Sequence, residues 1–193
     1  MDAKNIVKTV GTGPITKQNL VDSGVTRYWL QKWLDDGQIE KVGHGLYKFV
    51  LDSSNENPFD EQFCNATAVA GRKSAICLLS ALEYHHLTDI ITKTTWVMVP
   101  FEKRVKHKDI TVFRTRNPHW SVGILRQKGY RITSLERTLI DCLLHKNKVA
   151  LSVTMESLKL ALKKKRTSLS ALHDVAKRLH VLSRLKPIFD VLI

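Results

Sequence analysis

The first fifty residues carry apolar positions at helical spacing and then switch to alternation. Leu30 and Leu34 lie four apart with Trp33 beside them, while Arg27, Tyr28, Gln31 and Lys32 project mainly from the other side of the same helix. Thr26 is a suitable N-cap for this helix, and Gly37 ends it. A shorter helix precedes it over residues 17–22, capped by Thr16 and closed by the tight turn Ser23-Gly24. Another is expected over residues 3–10, before a Gly-Thr-Gly-Pro break. After Gly37 the spacing reads as two strands, residues 38–42 and 46–50, joined by Gly43-His44-Gly45. A helix, a glycine-containing turn and a second helix with a polar outer face predict a helix-turn-helix, and the hairpin adds a wing.

The pattern lapses over LDSSNENPFDEQ, where Ser, Asn, Pro and acidic residues replace any apolar rhythm. The expected division is therefore a winged domain over 1–50, a linker over 51–62 and a larger domain over 63–193. In the larger part residues 72–87 show a broad apolar face, Ile76, Leu79, Leu82 and Leu87, and predict a buried helix. Residues 94–100 predict a strand apolar on both faces, residues 109–115 its neighbour with one wetter side, and residues 129–133 a third strand. Helices follow from Ser134, over 152–164, over 168–180 and near 182–192, the last interrupted by Pro187. The fold class is α+β: a small sheet with helices packed on it, following the winged helix.

Charge adds an asymmetry to this division. Seven basic residues face five acidic ones before Leu51, against 24 and 13 from there on, within a net charge of +13. The surplus favours polyanions such as nucleic acid. Residues 103–116 and 162–166 are the densest basic stretches, although such runs are commonly solvated helix ends. Cys64, Cys77 and Cys142 are far apart and lack metal-knuckle spacing, so reduced, buried thiols are expected. The N-terminus lacks the apolar core of a signal peptide, and no stretch approaches bilayer length. We expect a cytoplasmic protein without membrane association.

Candidate chemistry is sparse. Neither a phosphate-binding loop, nor metal-ligand spacing, nor a serine-histidine arrangement stands out. His85-His86 cannot place both rings on one helix face, and Glu136 and Asp141 are five apart. Asp109 alone supplies the strands with an acidic candidate, so no metal, no cofactor and no catalytic residue are assigned. The Arg137-Asp141 spacing of four suits an ion pair on a helix capped by Ser134. Trp29 and Trp33 read as core or platform residues, and Asp35-Asp36 marks the helix end turned away from phosphate. Lys41, His44 and Lys48 sit at or near the wing tip, placed for phosphate or a minor groove.

The combination of LVDSGVTRYWLQKWLDDGQIEKVGHGLYKF, ICLLSALEYHHLTD and YRITSLERTLIDCL resembles the AbiEi family of antitoxins from bacterial abortive-infection systems. The likeness covers nearly the whole chain, and is strongest at Gly45 to Tyr47 and at Arg137 to Asp141. It implies a transcriptional repressor that binds inverted repeats of double-stranded DNA in its own promoter. It also implies a C-terminal domain that counteracts a nucleotidyltransferase-like toxin without requiring a stable complex. We expect a monomer in solution with two copies on the operator. The DNA-contacting set is then Lys17, Thr26, Arg27, Tyr28, Gln31 and Lys32, with Lys41, His44 and Lys48 in the wing. In the C-terminal domain the matching positions are Ser80, Arg137, Thr138 and Asp141, with structural and functional roles both open. The alternative is a nuclease-like, nucleic-acid-processing enzyme whose winged helix delivers substrate; a regulator sensing a small ligand is a third possibility.

Overall fold

The computed structural model describes residues 6, 10, 14–50, 58–127 and 129–190. Among them are eight helices and two small sheets, an α+β fold. The chain divides into two compact units, Met1–Arg72 with Arg126–Tyr130, and Lys73–Leu125 with Arg131–Ile193. No helix among the described residues is long and apolar enough to cross a membrane.

Unit 1 begins with a two-residue strand, β1 (Ile15–Thr16), then α1 (Lys17–Asp22), α2 (Arg27–Asp35), β2 (Ile39–Gly43) and β3 (Leu46–Phe49). The expected caps are in place: the amide of Asn19 donates to Thr16 Oγ1 at 3.2 Å, and that of Trp29 to Thr26 Oγ1 at 3.5 Å. Helix α2 stops because Gly37 turns left-handed, at φ 66°, and lets the Gln38 amide reach back to the Trp33 carbonyl. The three strands form an antiparallel sheet in the order β1-β3-β2. Its core gathers Leu20, Val25, Leu30, Trp33, Ile39 and Phe49, with Trp33 and Phe49 ring centroids 5.7 Å apart. The expected helix over 3–10 lies largely outside the described residues, of which Ile6 and Val10 are helical.

The expected linker over 51–62 needs correction. Residues 51–57 lie outside the described residues, but α3 (Pro58–Ala70) already begins at Pro58. Proline at the first position, with Asp60 and Glu61 in the first turn, is a helix start, since proline suits that position and acidic residues there complement the positive end of the dipole. Helix α3 belongs to unit 1, where Phe63 stacks on Phe59 at 5.4 Å and meets Tyr130 edge-on at 5.5 Å. The Tyr130 hydroxyl donates to Asp60 at 2.8 Å, and so ties Tyr130 into this unit across a long sequence separation.

Unit 2 is built on a five-stranded mixed sheet of β4 (Ala75–Ile76), β5 (Thr95–Pro100), β6 (Ile110–Thr115), β7 (Ile124–Arg126) and β8 (Arg131–Thr133), in the order β6-β5-β4-β8-β7. The helix expected over 72–87 is shorter: α4 spans Leu78–Tyr84, and Ala75–Ile76 instead form the middle strand. Strand β4 pairs antiparallel to β5 and parallel to β8, and both its residues are fully buried. An apolar run of that kind satisfies either period, and strand pairing on both sides decided it. The remaining helices, α5 (Leu135–Leu144), α6 (Leu151–Lys163), α7 (Leu169–Arg178) and α8 (Leu182–Phe189), follow the expected positions closely, except that α8 runs through Pro187 instead of being interrupted there. Leu139, Leu143, Leu158, Ala161, Leu172 and Leu185 bring them into one core with β4 and β5.

Candidate nucleic-acid interface

Helix α2 shows two faces. Leu30 and Trp33 are buried, while Arg27, Tyr28, Gln31 and Lys32 are all exposed, Tyr28 to 66%. The split follows from 100° per residue: positions 27, 28, 31 and 32 share the outer arc that the core residues leave. Trp29 is half-buried between the two. Its ring contacts Tyr28 edge-on at 5.5 Å and lies 6.2 Å from Trp33, and Lys32 Nζ stands 5.3 Å from its centroid. Trp33 is therefore core, and Trp29 is a platform that braces two outward residues. Gln31 Nε2 donates to Asp35 at 2.9 Å, which fixes its amide along the helix surface.

The hairpin tip meets the start of α1. The Lys17 amide donates to the Gly45 carbonyl at 2.8 Å, which brings exposed Lys17 and exposed His44 to the same end of the unit. Gly45 holds φ 68°, and the β2–β3 register shifts between Lys41 and Gly43, an irregularity of the bulge kind. Lys41 is exposed on edge strand β2. Lys48 differs: it is only 19% exposed, and its ammonium lies 3.1 Å from Glu61 of α3. Thus eight of the nine expected contact residues are open to solvent or at a helix cap, and the ninth is already paired within unit 1.

The four positions singled out in the larger part are all interior. Ser80 accepts the Trp96 amide at 3.0 Å and contacts Thr92 at 3.3 Å, which clips α4 to β5. Thr138 bonds Thr133 Oγ1 and the Ser134 carbonyl, each at 2.7 Å, and closes the turn into α5. Arg137, 1% exposed, donates to Asp141 at 2.8 Å and to the Trp120 and Val122 carbonyls at 3.1 and 2.6 Å. A Cβ on Gly123 would sit 2.8 Å from Arg137 Cβ, and its φ of 70° suits glycine, so the loop closes tightly over the base of the Arg137 side chain. Burial pushes the Asp141 carboxyl upward while the Arg137 guanidinium draws it back. These contacts tie helix, sheet and loop together, and none of the four side chains is offered to a partner.

The histidine pair is divided as expected. His85 is buried with Nε2 2.9 Å from the Thr133 carbonyl, and His86 is exposed. Burial lowers the His85 ring below its ordinary value, and the Arg166 guanidinium, which binds the His85 carbonyl, acts in the same sense. Cys77 and Cys142 are buried thiols, pushed well above their ordinary range by desolvation. Among the described residues no three His, Cys, Asp or Glu side chains converge where a metal ion would sit.

One feature of unit 2 was only half visible in the sequence. The basic stretch 103–116 is apparent as charge, but Arg116 and Arg114 also stand over the Phe101 ring, at 4.0 and 5.3 Å from its centroid. The ring follows the end of β5, while Arg114 lies on β6 and Arg116 just beyond it, and the parallel pairing of the two strands brings them together. No family model matches the chain, and no curated protein matches it.

Proposed function

We propose that the protein is a DNA-binding autorepressor and antitoxin of a bacterial toxin–antitoxin pair, with α1, α2 and the β2–β3 hairpin acting as a winged helix-turn-helix. The exposed quartet Arg27, Tyr28, Gln31 and Lys32 on a helix capped at Thr26 carries this reading. Arg27 and Gln31 have the side chains that pair bidentately with guanine and adenine edges, and Lys32 and Lys17 suit phosphate. Tyr28 offers an apolar edge to a thymine methyl. Lys41 and His44 at the hairpin end would contact the flanking backbone. Two copies would occupy an inverted repeat, each a monomer in solution.

The antitoxin role is supported by the family resemblance of the sequence, and would act on a nucleotidyltransferase-like toxin without a stable complex. Since Ser80, Arg137, Thr138 and Asp141 are buried, they would serve that role by holding unit 2 in shape.

An electrophoretic shift with the DNA upstream of the gene tests the reading. The Arg27→Ala, Gln31→Ala double variant should lose roughly 30-fold or more in operator affinity, about 1–3 kcal/mol per bidentate contact. Its thermal midpoint should stay near that of the parent, because both residues are exposed. It should also still protect cells that express the toxin. A double variant that shifts the fragment normally would place the wrong helix in the groove.

A further inference from the structure

We infer that unit 2 carries a binding site for single-stranded nucleic acid at Phe101, Arg114 and Arg116. Strands β5 and β6 run parallel in a register that pairs Val99 with Arg114 and Pro100 with Thr115. The next residues, Phe101 and Arg116, therefore emerge side by side at the strand ends, and Arg116 stands 4.0 Å from the ring centroid. Both arginines are exposed, and among the described residues no carboxylate lies within ion-pair distance of either. The connection from Phe101 back to the start of β6 traverses the length of the strand pair, on the order of 20 Å. It presents exposed Arg104, Lys106 and Lys108 along the way. Of the acidic residues there, Glu102 is exposed and Asp109 lies 3.7 Å from His107.

The ligand class follows from the mixture of charge and stacking surface. Phosphates account for the three cations of the connection. They do not need guanidinium groups held over an aromatic ring, an arrangement that restrains the planar groups and offers faces on which a base can stack. A duplex keeps its base faces inside its own stack, whereas a single strand presents them. A membrane surface fits less well, because the exposed large apolar residues of unit 2, Ile90, Ile91, Leu125 and Leu151, all lie outside 101–116. This site is separate in sequence and chemistry from the α2 face and does not depend on the operator reading.

Fluorescence anisotropy with the full chain tests it, in the Arg27→Ala, Gln31→Ala background to silence α2. The probes are RNA and DNA single strands of about twelve nucleotides and a duplex of the same length. Both single strands, or RNA alone, should bind roughly tenfold or more tightly than the duplex. The three cations of the connection would give a log-log salt slope near −2, at about 0.7 per phosphate. Arg114→Ala, Arg116→Ala should cost roughly tenfold or more. Arg114→Lys, Arg116→Lys keeps the charge and should still lose most of that affinity, because an ammonium does not stack. Equal binding of duplex and single strand, or full affinity in the folded lysine variant, would overturn the proposal.

Discussion

At the scale of single residues, unit 2 depends on a few buried polar groups whose partners are far apart in sequence. The Arg137-Asp141 pair was legible from its spacing, but the loop carbonyls of Trp120 and Val122 were not, since nothing local announces a bond across fifteen residues or more. That network makes the two partners unequal under mutation. Arg137→Ala leaves a buried carboxylate and two carbonyls without their donor, and should cost about 3–5 kcal/mol in urea denaturation. The double change Arg137→Met, Asp141→Leu removes both charges and should cost less than the single one. A second residue-scale effect concerns acid. His85 and His145 both have pKa values lowered first by burial, with Arg166 near His85, and Arg184, Arg137 and Lys148 near His145, acting in the same sense. At His85 the Thr133 carbonyl and Glu136 oppose this, and His86 adds to it. A depressed folded value means that the unfolded chain takes up protons first as pH falls. The stability they contribute is therefore present above about pH 6.5 and is lost as pH falls toward the folded values. Urea midpoints should drop between about pH 7.5 and pH 5.5. His85→Gln, which can still donate to Thr133, should flatten part of that drop; an unchanged profile would exclude His85 as a source.

At the scale of elements, caps and glycines were the most readable signals. Thr16, Thr26 and Ser134 each cap the helix expected of them, because a hydroxyl answering an orphan amide is a local matter, and Ser168 caps α7 in the same way. The outward face of α2 was readable for the same reason, since its periodicity lies within nine residues. Short strands were not. Strands β1 and β4 are two residues each, too brief for a period, and exist because neighbours already present an edge. Helix α3 was hidden by composition: Pro58, Asp60 and Glu61 read as breakers in a polar stretch and are the opening of a helix in the structure. That miss reaches the candidate interface, because Glu61 of α3 holds Lys48. Glu61→Gln should release the ammonium to phosphate and remove a repelling charge. Operator affinity should rise a few-fold, and the log-log salt slope should steepen by up to about one unit, at about 0.9 per phosphate. Stability should change little, because Glu61 is more than half exposed. An unaltered slope in a salt titration would leave Lys48 outside the contact set.

At the scale of the whole molecule, the division into units sharpens the charge asymmetry that the sequence first suggested. Counted over the two units, unit 1 holds ten basic and nine acidic residues, and unit 2 holds 21 and nine. A nearly neutral unit 1 can place individual cations against DNA, but it cannot supply a strong long-range field. The field of the full chain comes from unit 2, and part of it from Lys163, Lys164 and Lys165, all exposed at the end of α6. Such a run has a local reason to exist, since cations at a helix C-terminus meet the negative end of its dipole. Arg166 beside it is committed to the His85 carbonyl. The two roles separate in one measurement. If the run serves only the helix, changing the three lysines to glutamine should lower the thermal midpoint slightly and leave the salt slope of operator binding alone. We expect instead that the slope falls by roughly one to three units, at about 0.9 per phosphate released, with base preference unchanged. Affinity would fall on every sequence alike, because these lysines would contribute charge and the reading of bases would remain with α2.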